Sequence, residues 1–341
     1  MPFGLSTRTV AATVVIALSS AIYYHKSQMP SLSSIRASNA SILGSISYVP
    51  TAVFVGGTSG IGQGIAEAFA DHTKGNARIF IVGRNKAAAE SIISRFPKPS
   101  SPNAKFEFVE CDASSMKNIQ KATTELQDKH GVDKVNFLVM SQGYFTTAGY
   151  TETEEGLDRK LAVHYYSRYK FIETLLPTLL KAKEEGEDAK VLSVFSAGKG
   201  GNINRDDLGL KKTYSGWNAA MQAPTYNDLM LEEFAARNPT LTLGHAYPGG
   251  VRSNIGNAKD SPLWMKVSTK LIIGLSYPFM VSIRQCGEYL LHGMLDTMKT
   301  PGAWRINNDG SDIGKTRYFG SEEDRKAVWE HTVEVTKVKQ T

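Results

Sequence analysis

The chain has 341 residues, 41% of them hydrophobic and 21% charged, with a formal net charge of +6 at pH 7. This length suffices for one large α/β domain with additions, and no repeat at the period of a solenoid is visible. Because Lys and Arg are interspersed with acidic residues, nucleic-acid binding is not expected. The two cysteines, Cys111 and Cys286, form neither a disulfide framework nor metal-ligand spacing, so no metal site is predicted.

The chain begins with an apolar leader, residues 1–28. Residues 9–24 carry no charge and are flanked by basic residues. They fall a little short of the roughly 20 residues that cross a bilayer upright. Membrane association through residues 9–24, with the domain facing the cytosol, is the prediction. Two alternatives remain: a signal peptide, cleaved from a secreted protein, and a dispensable leader on a soluble cytoplasmic protein.

The stretch from Thr51 to Ala70 changes from a strand pattern to a helical pattern across a glycine-rich turn. Ala52–Val55 is predicted to be a buried parallel strand, because it is apolar throughout, and apolar residues recur at helical spacing after the glycines. The first N–H groups of a helix lack partners and its dipole favours negative charge, so glycines there let a pyrophosphate approach the main chain. The predicted phosphate-binding residues are Gly56, Thr58, Ser59, Gly60, Ile61 and Gly62.

The pattern Gly56-x-x-x-Gly60-Ile61-Gly62 resembles the nucleotide-binding turn of the short-chain dehydrogenases/reductases, although Val55 replaces the Thr that usually precedes the first glycine. The resemblance extends from about Ala52 to Ser253. It implies an α/β fold with a doubly wound parallel sheet, and an NADP(H)-dependent oxidoreductase that interconverts an apolar ketone or aldehyde and an alcohol. The alternative is a sensor or scaffold that binds NADP(H) without catalysis.

Two charged residues follow the next two predicted strands, Arg78–Val82 and Lys105–Val109. Where such a fold prefers NAD, an acidic residue at the end of the second strand binds the ribose 2′-OH, whereas a guanidinium suits a 2′-phosphate. Arg84 therefore favours NADP(H), with a solvated surface arginine as the alternative. Asp112 resembles the family's acidic residue beside the adenine ring, and it is also suited to cap a helix that begins near Ser115.

Two glycine turns complete the predicted cofactor site. The fourth strand, Val135–Met140, leads to Gly143, the one match to the family's Asn-Asn-Ala-Gly. The sixth strand, Thr240–Ala246, leads to a turn that resembles the family's Pro-Gly turn. There the Val offers main-chain groups to the nicotinamide carboxamide and a nearby hydroxyl reaches the phosphates. The residues of this second turn are Pro248, Gly249, Val251 and Ser253.

Two candidate catalytic residues come from the resemblance. Ser196 follows the fifth strand, Lys190–Phe195, and matches the family's catalytic serine, whose hydroxyl polarises the substrate carbonyl; a helix or turn cap is the alternative. His164 occupies the position of an Asn that holds a water of the proton relay, on a helix predicted over Glu154–Leu180. A histidine can exchange protons near neutral pH, but a buried structural histidine is equally compatible.

The family's proton donor is a Tyr with a Lys four residues later, and the ammonium lowers the pKa of the phenol from about 10. An ungapped alignment places Ala220 and Pro224 at these two positions. Gapped alternatives are Tyr214 with Asn218, and Tyr226 with Met230; neither supplies a cation. Tyr214 is the predicted donor, and an unidentified or absent donor remains open.

The C-terminal part resembles the family less closely. Residues 254–283 are unusually apolar and are predicted to form a lid over a hydrophobic small molecule or a membrane-contacting surface, with a buried helix pair as the alternative. The predicted domain organisation is a leader at 1–28, a Ser- and Ala-rich linker with at most a short helix at 29–49, the NADP-binding domain at 50–320, and a C-terminal helix at 321–341.

Overall fold

The structure, a computed structural model, describes residues 29–253, 277 and 280–338. The strands in these ranges are β1 Thr51–Val55, β2 Arg78–Gly83, β3 Lys105–Glu110, β4 Phe137–Met140, β5 Lys190–Val194, β6 Thr242–Ala246 and β7 Gly302–Ile306. In the described residues they form one sheet of 7 strands, in the order β3-β2-β1-β4-β5-β6-β7, and every neighbouring pair is parallel. The predicted doubly wound parallel sheet is confirmed, and β7 adds a strand that the sequence did not indicate.

Helices cover both faces of this sheet. The α-helices are α1 Leu32–Gly44, α2 Gly60–His72, α3 Lys86–Ile93, α4 Met116–Asp128, α5 Arg159–Leu161, α6 Ser167–Glu184, α7 Gly216–Arg237, α8 Ile283–His292 and α9 Glu322–Val335. A π-helical segment, Ala162–Tyr166, joins α5 to α6, and another, Gly293–Thr297, continues α8. α9 lies within the predicted C-terminal helix.

The central strand β1 contributes to two cores. Val53 and Val55 pack with α4, α6 and α7 on one face, whereas Ala52 and Phe54 pack with α2 and α8 on the other. All four side chains are buried, because successive residues of a strand point to opposite faces and both faces are covered by helices. Burying each large side chain contributes about 1.5–3 kcal/mol. The two cores hold the carboxyl ends of the strands in place.

The helix predicted over Glu154–Leu180 begins and ends later than expected. Asp158 is the N-cap of α5 and accepts a hydrogen bond of 3.0 Å from the amide of Leu161, so the helix cannot begin at Glu154. Gly156, with φ of 77°, lies in the turn before it. The helical run then passes through the π-helical segment, which contains His164.

Residues 29–49, predicted to be a linker, contain the helix α1, which packs against α8. The side-chain amide of Asn39, fully buried, donates to the main-chain oxygen of Glu288 at 3.0 Å and to its carboxylate at 3.1 Å. Arg36 donates to the same carboxylate at 3.0 Å, and His72 lies 2.8 Å from it. These contacts attach α1 to the domain.

Several predictions concern residues outside the described ranges. They are the leader at 1–28, with its proposed anchor at 9–24, and the lid at 254–283 apart from Tyr277 and residues 280–283. Among the described helices, none is both long enough and apolar enough to cross a membrane.

Candidate active site

The candidate site is a cleft at the carboxyl ends of β1 and β4, where the strand order changes direction. Val55 ends β1 and pairs with Val82 of β2 on one side and Met140 of β4 on the other. In open α/β sheets, ligands bind in the crevice at such a switch point. The cleft has a volume of about 820 Å³, and small-molecule and cofactor sites of roughly 300–1,000 Å³ are typical.

The glycine turn forms the floor of this cleft. Gly56 has φ of 78°, and a Cβ atom there would lie 2.6 Å from the main-chain nitrogen of Gln142. Gly60 has φ of 60°, but a Cβ atom there would meet only Ser253, at 3.8 Å. Gly62 packs away from the cleft, since its Cβ would lie 2.7 Å from the oxygen of Gly56. Gly56 and Gly62 therefore permit close packing, and Gly60 leaves the cleft open to a ligand.

The N-terminus of α2 lacks the side-chain cap that α1, α3 and α4 have. Ser59 is its N-cap residue, yet the Ser59 side chain makes no capping hydrogen bond. By contrast, the side chains of Ser31, Asn85 and Ser115 cap α1, α3 and α4. The first amides of α2 therefore face the cleft with the positive end of the helix dipole, which suits a phosphate. These residues fit the pyrophosphate of a dinucleotide.

Two arginines and an aspartate line one part of the cleft wall. Arg84 and Arg159 both line the cleft, and Nη2 of Arg159 lies 3.8 Å from Oδ2 of Asp112. Burial raises the pKa of Asp112, but hydrogen bonds from Ser114 and the positive charges of Arg84 and Arg159 outweigh burial and lower it below its ordinary value. Asp112 is therefore ionised at neutral pH.

Asp112 does not cap α4. Its Oδ1 accepts from the amide and the hydroxyl of Ser114, at 2.9 and 2.8 Å. The first amides of α4 are instead bound by the carboxylate of Glu155 and the hydroxyl of Ser115. One oxygen of Asp112 thus remains directed towards Arg159.

The structure places some of the predicted site residues in the cleft wall and others behind it. Those in the wall are Gly56, Thr58, Ser59, Gly60, Ile61, Arg84, Asp112, Gly143, Tyr214 and Ser253. The wall does not include Gly62, His164, Ser196, Pro248, Gly249 and Val251.

The Pro-Gly turn lies between β6 and the wall. Gly249 has φ of 72° and packs against Asn308, whose Cβ would lie 2.9 Å from an added Cβ. Val251 is buried and forms a parallel bridge with Val281. The Ser253 amide donates to the oxygen of Val251 at 2.8 Å, which brings Ser253 to the cleft.

His164 lies directly behind the cleft wall. Its Nε2 accepts a hydrogen bond of 3.2 Å from the amide of Tyr144, and its ring centroid lies 4.9 Å from that of Phe195. Burial, together with the positive charges of Arg168 and Lys160, lowers the pKa of His164 to about 3. The imidazole is therefore neutral at physiological pH and acts as a hydrogen-bond acceptor for the loop that carries Tyr144.

Ser196 is held by a buried network that the sequence did not reveal. Its amide donates to Nε2 of His245 at 3.1 Å, and Nδ1 of His245 lies 2.6 Å from Oδ1 of Asp228. Because Nε2 accepts, the proton of the imidazole lies on Nδ1 and bonds to the carboxylate. Arg305 of β7 lies 3.1 Å from the other oxygen of Asp228. β7, β6 and α7 therefore together position Ser196, the second residue after β5.

Tyr214 lies in the cleft wall, in the segment just before α7. Its hydroxyl oxygen is buried and has no hydrogen-bond partner among the described residues. The ring of Tyr150 meets its ring edge-on, with centroids 5.6 Å apart. The ammonium of Lys160 lies 5.9 Å from the Tyr214 ring centroid. A buried hydroxyl without a partner is rare in proteins, and it calls for a ligand, a water or a side-chain movement that supplies one.

The other positions considered for the Tyr-Lys pair do not reach the cleft. Tyr226 is 1% exposed, and its hydroxyl donates to the oxygen of Leu208 and to the side chain of Gln222. Pro224 is buried inside α7, and Ala220 is exposed on it. Tyr214 is thus the one of these candidates that lines the described cleft.

Comparisons with known proteins support this geometry. The family model for short chain dehydrogenases matches residues 50–206. "Oxidoreductase AN1596" of Emericella nidulans is 36% identical over 269 residues, which cover 77% of this chain and 77% of that protein. "Short-chain dehydrogenase/reductase SAT2" of Stachybotrys chartarum is 31% identical over 285 residues, covering 77% of each. The NADPH-bound carbonyl reductase from chicken fatty liver superposes with a TM-score of 0.55 at 16% identity, covering 78% of this chain and 99% of that one, so it has the same fold.

Proposed function

The chain belongs to the short-chain dehydrogenase/reductase family of oxidoreductases, and we propose that it uses NADP(H) to interconvert an apolar ketone or aldehyde and the corresponding alcohol. The family binds a nicotinamide cofactor, which supplies or accepts the hydride when bound. The observation that carries the proposal is the Tyr214 hydroxyl, buried and without a partner among the described residues, on a side chain that lines the same cleft as the glycine turn.

The choice of NADP(H) rests on the charges near Asp112. Arg84 is exposed and lines the cleft after β2, where a ribose 2′-substituent would be read. Arg159 adds a second guanidinium close to the same carboxylate. Two planar cations suit the bidentate recognition of a phosphate.

The chain's own groups would hold and move the proton. Tyr214 would donate its hydroxyl proton to the developing alkoxide during reduction and take it back during oxidation. The resemblance implies that Ser196 would polarise the carbonyl; it is held by His245 outside the described cleft wall, so its hydroxyl would have to reach the substrate from there. The amides at the start of α2 would bind the phosphates and so orient the nicotinamide.

An apolar substrate is favoured by the rim of the cleft. Phe145 lines the cleft and is 49% exposed, and Tyr277, 52% exposed, packs under the guanidinium of Arg252, another lining residue. Exposed aromatic side chains around a cleft are typical of binding sites for apolar ligands. Membrane association through residues 9–24 would suit such a substrate. Retention of the full-length protein, but not of a variant lacking residues 1–28, in the membrane pellet after alkaline carbonate extraction would support it.

The test is NADPH consumption by the purified protein with a panel of hydrophobic ketones and aldehydes. The wild type should turn over, Tyr214→Phe should lose about 100-fold or more in kcat, and Ser196→Ala should also lose rate. Tyr226→Phe is the matched control, because the Tyr226 hydroxyl is bonded to Leu208 and Gln222 in the core, away from the cleft, and this variant should keep its rate. Full activity in both Ser196→Ala and Tyr214→Phe would refute these assignments. NADPH binding without turnover would favour the sensor or scaffold instead.

A further inference from the structure

We propose that Lys160, from α5, supplies the cation for Tyr214 that the family normally places four residues after its tyrosine. The inference rests on the proposed function, in which Tyr214 is the proton donor. Lys160 would act through Tyr214, as a positioning residue that favours the tyrosinate over the phenol. The tyrosine and its cation would thus come from two segments that are distant in the chain, α5 and the segment before α7.

Lys160 lies in the cleft wall beside the ring of Tyr214. Its side chain lines the cleft, the residue is only 9% exposed, and its ammonium lies 5.9 Å from the Tyr214 ring centroid. Within the described part of the chain it donates one long hydrogen bond, of 3.4 Å, to the oxygen of Thr146. A cation at about 6 Å from an aromatic centroid interacts favourably with the ring, and more strongly where water is excluded.

The charge of Lys160 is poorly compensated by its surroundings. Asp158 is the acidic residue that acts on it, but the carboxylate of Asp158 accepts from the amides of Leu161 and Thr151, at 3.0 and 3.3 Å. Lys160 also lies beside the positive end of α7, because a Cβ atom on Gly216 would be 3.6 Å from its ammonium. Burial lowers the pKa of Lys160. A cation in such a place costs stability, so a role in the cleft explains it better than packing.

Tyr214 needs such a cation. Burial raises its pKa to about 12, and the negative charge of Asp158 and the neighbouring Tyr144 act in the same direction. The groups that face Tyr214 are thus Asp158, Tyr144, Tyr150 and Lys160. Of these, Lys160 alone can stabilise a tyrosinate. A positive charge beside a phenol favours the tyrosinate and lowers the pKa of the hydroxyl.

The other buried cation near the site is already engaged. Arg168, fully buried, donates to the hydroxyl of Ser193 at 3.0 Å and to the main-chain oxygens of Val163, Gln142 and Val194 at 2.7, 2.9 and 3.1 Å. It does not line the described cleft. Its guanidinium holds β4, β5 and the π-helical segment together, so it is not available to Tyr214.

The test uses the full-length protein with Lys160→Met, which removes the charge, and Lys160→Arg, which keeps it. Lys170→Met is the matched control, because Lys170 is 7% exposed and pairs with Glu173 away from the cleft. In alcohol oxidation, where Tyr214 must be deprotonated to accept the proton, Lys160→Met should lose about tenfold or more in kcat and move the acidic limb of the pH profile upward by about one pH unit or more. Lys160→Arg should restore most of the rate, and the Kd for NADPH should stay unchanged in all three.

A second readout does not depend on activity. The pKa of Tyr214 is measured by NMR of protein with 13C-labelled tyrosine, with Tyr214→Phe used to assign the signal. The pKa should be higher in Lys160→Met than in the wild type and in Lys170→Met. Equal pKa values in the wild type and Lys160→Met would overturn the proposal, and so would a loss of rate from Lys160→Met that persists undiminished in the Tyr214→Phe background. An inactive wild type with the expected NMR shift would refute the proposed function but not the pairing.

Discussion

The amide of Ser196 donates a hydrogen bond of 3.1 Å to Nε2 of His245. This contact joins Ser196, the second residue after β5, to the strand β6, and Asp228 of α7 fixes the imidazole from the other side at 2.6 Å. His245 is fully buried. The main-chain position of Ser196 therefore depends on a buried network that includes Asp228 and Arg305, not on the loop alone.

Replacement of His245 should impair catalysis more than cofactor binding. His245→Ala leaves the Ser196 amide and the Asp228 carboxylate without their partner, which should cost about 1–3 kcal/mol of unfolding free energy. We expect a fall in kcat of about tenfold with an unchanged Kd for NADPH. The control is His292→Ala, which removes a histidine that lies 3.6 Å from Asp296, outside this network. An unaltered kcat in His245→Ala would show that the network does not position Ser196.

Replacement of Arg84 should discriminate between the two nicotinamide cofactors. Arg84→Ala removes a cation that would bind the 2′-phosphate, so NADPH affinity should fall by about 10- to 100-fold while NADH affinity changes little. Calorimetric titration of both cofactors measures this. Lys86→Ala is the control, because Lys86 is an exposed cation nearby that lies 3.8 Å from Glu90. Equal losses for NADPH and NADH would mean that Arg84 does not contact a 2′-phosphate.

The neutral imidazole of His164 should affect how the unfolding free energy depends on pH. Its folded-state pKa, about 3, is below the unfolded value of about 6.5. Between these values the unfolded chain binds a proton that the folded protein does not, so this residue reduces stability as the pH falls from 6.5 towards 3. Chemical denaturation should therefore show a smaller loss of unfolding free energy between pH 7 and about pH 4 in His164→Asn than in the wild type. Identical losses in the two proteins would contradict a buried neutral imidazole.

The attachment of α1 can be tested through Asn39. Asn39→Ala leaves the buried carboxylate of Glu288 without one of its donors and should lower the unfolding free energy by about 1–3 kcal/mol. Ser41→Ala, on the exposed side of α1, should have little effect. If thermal denaturation gave the same Tm for Asn39→Ala and wild type, α1 would not be part of the cooperative unit.

Local signals were sufficient to predict the sheet and the cofactor end of the site. β1, its glycine turn and α2 lie together in the chain, and Arg84 and Asp112 each follow the end of a strand, so the topology brings them to one edge. β7 was missed because its short sequence, Gly-Ala-Trp-Arg-Ile, has no clear alternation. The sequence predicted a linker with at most a short helix where α1 lies, because this segment is rich in Ser. The 13-residue helix is stabilised instead by its contacts with α8.

The catalytic end depends on contacts between distant segments, and sequence patterns do not reveal these. Lys160 lies on α5 and Tyr214 in the segment before α7, whereas the family pattern places the cation four residues after the tyrosine. The bond between Ser196 and His245 spans 49 positions. The signal available for His245 was a histidine inside an apolar strand, where a buried imidazole requires a polar partner.

The central claim is that a nicotinamide dinucleotide binds against the main chain of the turn before α2. Calorimetric titration of NADPH into wild type, Gly60→Ala and Gly131→Ala tests it most directly. The two glycines have nearly equal φ values, 60° and 62°, but Gly60 faces the cleft whereas a Cβ on Gly131 would meet nothing within 4 Å. Both variants should lose about 1–2 kcal/mol of stability from backbone strain. We expect NADPH to bind wild type and Gly131→Ala equally and Gly60→Ala at least about tenfold more weakly. Equal affinity in all three, or no binding of NADPH or NADH to the wild type, would contradict the account.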